Sequence, residues 1–442
     1  MEAEKLNGTG TDGFKGKLAL LQRGLAGSLG VMVVASTVAG VLGYLYDIIM
    51  NRLLPKAAFG DLYVLTSIFI IVTVAYASVQ LVVAKYVAQF EAKGELDNSR
   101  SLMRSYLRWL TVACIGIIVL SAALAWPAAW LLKLQSPLLI LIMGVTMATG
   151  LFVVLANGAL QGQQRYVAYG GTYVGASALK ILAGVSLVSL GLGIYGAMLS
   201  GTVSALVLLA VLLFFVRDLL AKPAANHNQF RPAQTVKFFL PAAVAVFLFV
   251  FMTQVDVVLV KVLFSKSLAG DYSYAALAGK AILFLPEGVM LVLFPRVANL
   301  KARNESTRST LWWSLLVSSV MLAAAVAFYA IFPAFTAWLF VGGKGRSITG
   351  LVALFGLAMA VFATVKLLMF YHLAMERTVI VVFLAVATVL ETAGIMLLHN
   401  NARQVVLIVL AVGIALLAVS ILLIFTGNAE PRADSGSVPG ES

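Results

Sequence analysis

The chain has 442 residues, of which 62% are hydrophobic and only 11% are charged, and its formal net charge is +13. Soluble proteins carry roughly 25% charged residues. The mean hydropathy of +1.00 therefore excludes a soluble class and indicates a membrane protein. The basic residues are spread over many short loops instead of forming one patch, so we expect no nucleic-acid partner.

The first 24 residues are polar, with no small-residue cleavage site behind a short apolar core. We therefore expect no signal peptide and a cytoplasmic N-terminal segment over 1–27. Twelve apolar runs of about 20 residues follow, each long enough to cross a bilayer as a helix. They lie near 28–50, 62–84, 108–132, 138–160, 169–190, 194–216, 238–260, 272–294, 311–338, 348–372, 378–398 and 404–425.

The predicted fold is an all-α polytopic membrane protein with twelve helices in two pseudo-symmetric lobes of six. The polar loop 217–237 separates an N-lobe over 28–216 from a C-lobe over 238–425. The tail 426–442 has a disordered composition. Twenty of the 31 Lys and Arg fall in the terminal segments and even-numbered loops and eight in the odd-numbered loops, so both termini should be cytoplasmic.

The two lobes carry an internal repeat. Gly60 and Asp61 match Gly270 and Asp271, and seven further identities follow at the same spacing of 210 residues. A duplication of this kind predicts two half-length units. Six spans per unit give both units the same orientation, so we expect them to be related by an axis along the membrane normal.

Several charges lie deep in the predicted spans, where a charge costs about 3 kcal/mol on insertion scales. Lys280 and Glu287 are seven residues apart in the eighth span, on one predicted helix face, with Pro286 expected to kink the helix between them. Their counterparts in the first lobe are apolar, which favours a function for this pair. Lys180 and Glu391 are equally deep and have either a functional or a structural interpretation.

A second group of charges lies near the span ends. Asp47 and Asp256 are each followed five residues later by a base, Arg52 and Lys261 respectively. Two interpretations stay open: the acids tie their helix ends to the following base, or they act in ion coupling. Arg52, Lys261 and also Lys366 are close enough to a span end to reach the interface by snorkelling.

Other patterns carry less weight. Gly191, Gly193 and Gly196 spell G-x-G-x-x-G, but no strand precedes them, so tight helix packing explains them better than a phosphate loop. The three histidines do not have metal-ligand spacing, and no loop holds a pair of carboxylates suited to catalysis. We expect no enzyme activity, no metal and no cofactor.

The motifs resemble those of the multidrug/oligosaccharidyl-lipid/polysaccharide (MOP) flippase superfamily, and more narrowly its bacterial polysaccharide transporters. The resemblance covers roughly 25–425 and rests on residues 41–52, 59–63, 191–197, 254–256, 269–272, 279–286 and 293–297. Lipid II flippases of the superfamily have arginines where this chain has Gly40 and Tyr46, and usually fourteen spans. The resemblance therefore favours a polysaccharide repeat unit over lipid II.

The resemblance implies a flippase that moves a polyprenyl-pyrophosphate-linked oligosaccharide from the inner to the outer leaflet of a bacterial plasma membrane by alternating access. The pyrophosphate cannot cross hydrocarbon unaided, so fixed cations should replace its hydration. The candidates for this role are Lys280, Lys180, Lys366, Arg52 and Lys261. Expected partners are membrane lipids, the lipid-linked substrate and other polysaccharide-assembly proteins.

Two other functions stay open. A cation-coupled multidrug exporter of the same superfamily would use acids, and the candidates for H⁺ or Na⁺ coupling are Glu287, Glu391, Asp47 and Asp256. A neutral carboxyl costs less in the membrane than a charged one, and Glu287 is preferred because substrate at Lys280 would promote its protonation. A non-transporting membrane assembly factor is the third interpretation, and the deep charges disfavour it.

Overall fold

The computed structural model describes residues 9–221, 233–303 and 305–426, and gives backbone alone for 9–29 and 233–240. Within these ranges the regular structure is helical. The predicted tail from 427, most of the predicted interlobe loop and the first eight residues lie outside the described residues. The helices are α1 Thr9–Leu53, α2 Lys56–Ala92, α3 Leu96–Leu131, α4 Leu138–Gly162, α5 Tyr166–Leu187, α6 Gly193–Phe215, α7 Arg217–Leu220, α8 Ala233–Leu263, α9 Lys266–Lys280, α10 Glu287–Ala302, α11 Arg308–Ile331, α12 Pro333–Val341, α13 Thr349–Ala374, α14 Val379–Leu397 and α15 Ala402–Thr426.

Helices are the expected form because hydrocarbon offers no partner to a free backbone N–H or C=O group. Eleven helical stretches of the described chain are long and apolar enough to cross a membrane. Many of their large side chains point outward, as with Trp126 and Trp130 at 77% and 82% exposure. Such exposure suits a lipid-facing surface, so the chain is a multi-span membrane protein.

One of the eleven stretches, Tyr166–Phe215, is 50 residues long and contains a break. Gly191 has φ +90° and Gly193 has φ +49°, conformations that an L-residue adopts only with strain. The helices α5 and α6 on either side pack against each other. A Cβ on Gly196 would lie 2.8 Å from the Leu187 carbonyl carbon. Tight packing is therefore confirmed at Gly196, whereas Gly191 and Gly193 are required by their backbone conformation and have open space around them. The total of twelve spans stays a prediction.

The predicted ninth span over 311–338 is wrong at its C-terminal end, because it extends beyond the observed helix. Helix α11 stops at Ile331, and Pro333 opens the separate short helix α12. Proline has no N–H to donate to the preceding turn and is well suited to the first position of a new helix.

The expected kink at Pro286 is confirmed as a full interruption. After α9 ends at Lys280, a 3₁₀ segment runs over Ala281–Phe284, and α10 begins at Glu287. Lys280 and Glu287 therefore belong to different helices. The expected shared face on one continuous helix is wrong, because Pro286 removes a hydrogen bond that such a helix requires.

Contacts divide the described chain into two compact units. Unit 1 contains 9–221, 233–243, 257–277 and 337–348, and unit 2 contains 244–256, 278–303, 305–336 and 349–426. In unit 1, α5 packs on α1 and α6, while α4 packs on α2, α3 and α6. In unit 2, α13 packs on α10, α11 and α15. The division into six-helix lobes stays a prediction.

We predict that Gly191→Ala lowers the thermal stability of the purified protein. A Cβ at φ +90° costs about 1–2 kcal/mol, and differential scanning fluorimetry in detergent measures the shift. Gly175→Ala is the matched control, because Gly175 is in α5 with nothing within 4 Å of an added Cβ. The control should melt at or slightly above the wild-type temperature, and an equal loss in both variants would contradict the strain argument.

Candidate functional site

Unit 1 contains a cluster of polar side chains where α1 ends and α2 begins. Near it lie the α8–α9 turn and the segment 337–348. We call it the helix-end cluster. Its members are Asn51, Arg52, Lys56, Asp61, Lys133, Lys261, Asp271 and Lys344.

The centre of the helix-end cluster is an ion pair between Lys261 and Asp61, whose side chains are each 2% exposed. Asp61 also accepts a hydrogen bond of 3.1 Å from the backbone N–H of Gln135. Lys133, in the same turn, donates to the Phe264 carbonyl at 2.8 Å. Lys261 therefore does not snorkel, and it pairs with an acid some 200 residues away, not with Asp256 five residues before it.

A second ion pair connects α2 to α9, whereas the first connects α2 to the end of α8. Lys56 lies 2.5 Å from Asp271 and also donates to the Ser267 hydroxyl at 3.2 Å. The backbones approach closely between the two pairs, since a Cβ on Gly60 would lie 3.3 Å from the Gly270 Cα. The repeated Gly-Asp pairs thus let two helices cross, and each aspartate pairs with a lysine of the other copy.

The end of α1 is held by residues from 337–348. Lys344 donates to the carbonyls of Asn51, Arg52 and Leu54 at 3.1, 3.3 and 2.7 Å, which satisfies acceptors that a helix C-terminus leaves unpaired. Partial burial lowers the pKa of the Lys344 amine, but three donors require its protonated form. Arg52 donates to the Leu339 carbonyl at 2.9 Å, and in the described chain it forms no ion pair with Asp47, so the tie that was one of two interpretations is not seen.

A cavity of 260 Å³ lies beside this cluster in unit 1. Most of its lining is apolar, and Lys180 is its charged member. The Lys180 Nζ lies 4.1 Å from the centroid of the Tyr46 ring, within the range of a cation–π contact. Tyr46 itself is fixed by a 2.7 Å hydrogen bond to the Ala197 carbonyl. Asp47 interacts electrostatically with Lys180, but the two form no ion pair within 4 Å.

Unit 2 contains a separate group of buried charges. Asp256 and Lys280, 1% and 4% exposed, form an ion pair at 3.0 Å. Glu391 is fully buried and interacts electrostatically with both. Neither carboxyl oxygen of Glu391 has a hydrogen-bond partner among the described residues. Glu287 pairs instead with Lys366, and both are partly exposed.

The structure therefore separates the predicted site residues into three places. Arg52 and Lys261 belong to the helix-end cluster. Lys180 lines the unit 1 cavity and interacts with Asp47, and the others are in unit 2. Sequence reasoning missed the cluster members Asn51, Lys56, Asp61, Lys133, Asp271 and Lys344. The repeated Gly-Asp pair was the available signal for Asp61 and Asp271.

Comparison with known proteins shows the fold. No family model matches the chain, and no curated protein matches its sequence. A multidrug resistance transporter of the MATE family of the MOP superfamily, in an inward-facing conformation, has a TM-score of 0.76 at 12% identity, covering 91% of this chain and 96% of its own. The lipid II flippase MurJ has a TM-score of 0.69 at 13% identity, covering 90% and 88%.

A third neighbour is a MOP superfamily transporter from Pyrococcus furiosus whose binding pocket is described as having reverse polarity. It has a TM-score of 0.63 at 13% identity and covers 90% of this chain and 95% of its own. The structural neighbours are thus transporters and flippases of the MOP superfamily, and this chain has their fold.

We predict that Asp61→Asn destabilises the protein far more than Lys56→Ala. The first variant leaves Lys261 buried without a counter-charge, which costs about 3–5 kcal/mol. The second breaks a pair whose side chains are 33% and 24% exposed, and such pairs contribute about 0–1 kcal/mol. Thermal denaturation in detergent measures both.

The double variant Asp61→Asn/Lys261→Met is the control for this prediction. It removes both charges, so much of the stability lost in Asp61→Asn should return. A double variant as unstable as the sum of its single variants would contradict the buried pair.

Proposed function

We propose that this protein is a flippase for polyprenyl-pyrophosphate-linked oligosaccharides, moving them from the inner to the outer leaflet of a bacterial plasma membrane. It acts as a transporter and makes or breaks no covalent bond. The observation that carries the proposal is Lys180, a cation that lines an apolar cavity and has no ion pair in the described chain. A cation in this setting favours an anionic amphiphile over a cationic drug.

The chemistry of the cavity suits the charged end of such a lipid. Beside Lys180 its lining includes Thr66, Thr146, Ser177 and Ser204, and the last three donate their hydroxyls to backbone carbonyls. Hydrogen bonds to a phosphate oxygen from an ammonium group are about twice as strong as those between neutral groups. The ring of Tyr46 holds Lys180 without an ion pair, so the lysine can pair with an anionic substrate.

The size of the cavity limits what it holds. Drug-sized ligands occupy about 300–1,000 Å³, and this cavity measures 260 Å³. We infer that it takes the pyrophosphate, while the sugars lie outside it. Lys280, Lys366 and Lys261 are already paired with carboxylates, so phosphate would reach them only after those acids are displaced.

The helix-end cluster would be the part that opens and closes. With both termini cytoplasmic, the cluster faces the outer leaflet. Release of substrate on that side requires the pairs Lys261–Asp61 and Lys56–Asp271 to separate. Each pair joins a residue of one copy to a residue of the other copy. Such pairs are suited to a contact that forms in one conformation and breaks in the other.

Lys180→Ala should abolish flipping of a short polyprenyl-pyrophosphate sugar in proteoliposomes, measured by leaflet-resolved accessibility to a membrane-impermeant reagent. Lys180→Arg should keep part of the rate, because the charge remains with altered geometry. Lys85→Ala is the matched control, since Lys85 also lies over a tyrosine ring, at 5.9 Å from the Tyr86 centroid, but is exposed and outside the cavity. Normal flipping by Lys180→Ala would refute the assignment.

The alternative function is a cation-coupled multidrug exporter, and one observation favours it. Glu391 is a buried carboxyl without a hydrogen-bond partner among the described residues, next to the Asp256–Lys280 pair. An uncompensated charge there would be costly, so the group suits reversible binding of H⁺ or Na⁺. The same site would couple the flippase to an ion gradient, with Glu391 in place of the initially preferred Glu287.

Glu391→Gln should remove the dependence of transport on an imposed pH or Na⁺ gradient, because the amide has nearly the same size but cannot take up a proton. Glu287→Gln is the comparison, since that carboxylate is paired with Lys366 and should retain gradient dependence. If transport by both variants depended equally on the gradient, Glu391 would be excluded as the coupling group. Export of a cationic dye together with no flipping in the wild type would favour the alternative function.

A further inference from the structure

A groove of 440 Å³ lies in unit 2 between α10 and α11. From α10 it is lined by Gly288, Val289, Val292, Leu293 and Arg296, and from α11 by Ser309, Thr310, Trp313, Ser314 and Val317. The two helices pack directly on each other. The groove lies outside the sites described above and is not explained by the proposed function.

Polar and apolar residues are separated along the groove. Arg296 lies opposite the first turns of α11, with Ser309 and Thr310, and is six residues from the end of α10, about 9 Å along the axis. Gly288 and Val317 are at the other end, deeper in the span, and a Cβ on Gly288 would meet nothing within 4 Å. A polar end near the membrane surface and an open apolar channel below it match the shape of a lipid.

The hydrogen-bonding groups at the polar end are unoccupied. The side-chain hydroxyls of Ser309, Thr310 and Ser314 make no hydrogen bond within the described chain. By contrast, the hydroxyls of Thr146 and Thr388 on other spans donate to the carbonyl four residues earlier. Arg296 likewise has no ion pair or hydrogen bond, and its side chain is exposed. Arg296 lies just beyond the predicted eighth span, near the membrane surface, where a basic side chain can contact an anionic lipid headgroup.

The neighbouring cavity on the other side of α11 is a useful contrast. It is lined by Lys301, Glu305, Arg308 and Trp312, so an acid is already present among its bases, and Lys301 pairs with Glu376. The lining of the α10–α11 groove contains no acid. Its net charge is positive, which favours an anion as the occupant.

We propose that the α10–α11 groove is a binding site for one anionic phospholipid of the bilayer. Arg296 and the hydroxyls of Ser309 and Thr310 would contact the phosphate diester, and an acyl chain would lie over Val292 and Gly288. Trp313, 65% exposed, would sit at the level of the headgroup, where tryptophan is enriched. A second copy of this chain packed symmetrically on the groove would bring two Arg296 side chains together without a counter-charge.

Native mass spectrometry of the full chain in detergent, titrated with phosphatidylglycerol or phosphatidylcholine, tests this site without any transport assay. The wild type should retain phosphatidylglycerol in preference. Arg296→Gln should weaken that retention about fivefold, the value of one basic residue at an anionic lipid. Arg296→Lys should restore most of it, and Gly288→Leu, which fills the apolar end, should weaken retention of the same lipid without a change of charge.

Arg308→Gln is the matched control, because Arg308 is an exposed base at the same membrane end but lines the neighbouring cavity. It should retain phosphatidylglycerol as the wild type does. Equal retention of the two lipids by the wild type, or equal loss in Arg296→Gln and Arg308→Gln, would overturn the proposal. A dimer that persists without lipid and is lost in Arg296→Gln would assign the groove to a second copy and would also overturn it.

Discussion

Every charge buried in this molecule has to be stabilised by the protein, because neither hydrocarbon nor a dry helix interface supplies water. The pairs Lys261–Asp61 and Lys280–Asp256 meet this constraint with side chains that are at most 5% exposed. Removal of one partner from such a pair is strongly destabilising, whereas removal of both is often tolerated. The buried pairs therefore contribute little net stability but determine which helices can lie together.

Among the described residues, Lys180 and Glu391 depart from this pattern, and both are candidates for a function. Lys180 has an aromatic ring and a more distant acid in place of an ion pair, and Glu391 has no hydrogen-bond partner among the described residues. A charged group that has no counter-charge in the fold can be stabilised by a ligand that binds and dissociates. For a lysine that is an anion, and for a carboxyl it is a proton or a metal cation.

Sequence patterns predicted the features that depend on neighbours along the chain. The helical spans, the interruption at Pro286 and the tight packing at Gly196 follow from hydropathy and from the backbone properties of proline and glycine. The partners of the charges could not be found in this way. Asp61 and Lys261 are separated by 200 residues. Of the two interpretations left open for Asp256, the tie to Lys261 is not seen in the described chain, because a spacing of five residues places two side chains on different helix faces.

The predicted duplication would account for ion pairs that cross from one copy to the other. Where α2 and α9 cross at Gly60 and Gly270, the aspartate that follows each glycine pairs with a lysine of the other copy. The acid and base within one copy would hold that copy together, whereas exchanged partners hold the two copies to each other. The bases are not equivalent, however: Lys261 ends α8 and Lys56 begins α2. One pair is consequently buried and the other is partly exposed. Because the exposed pair is weaker, separation of the helices should begin at Lys56–Asp271 and reach Lys261–Asp61 last.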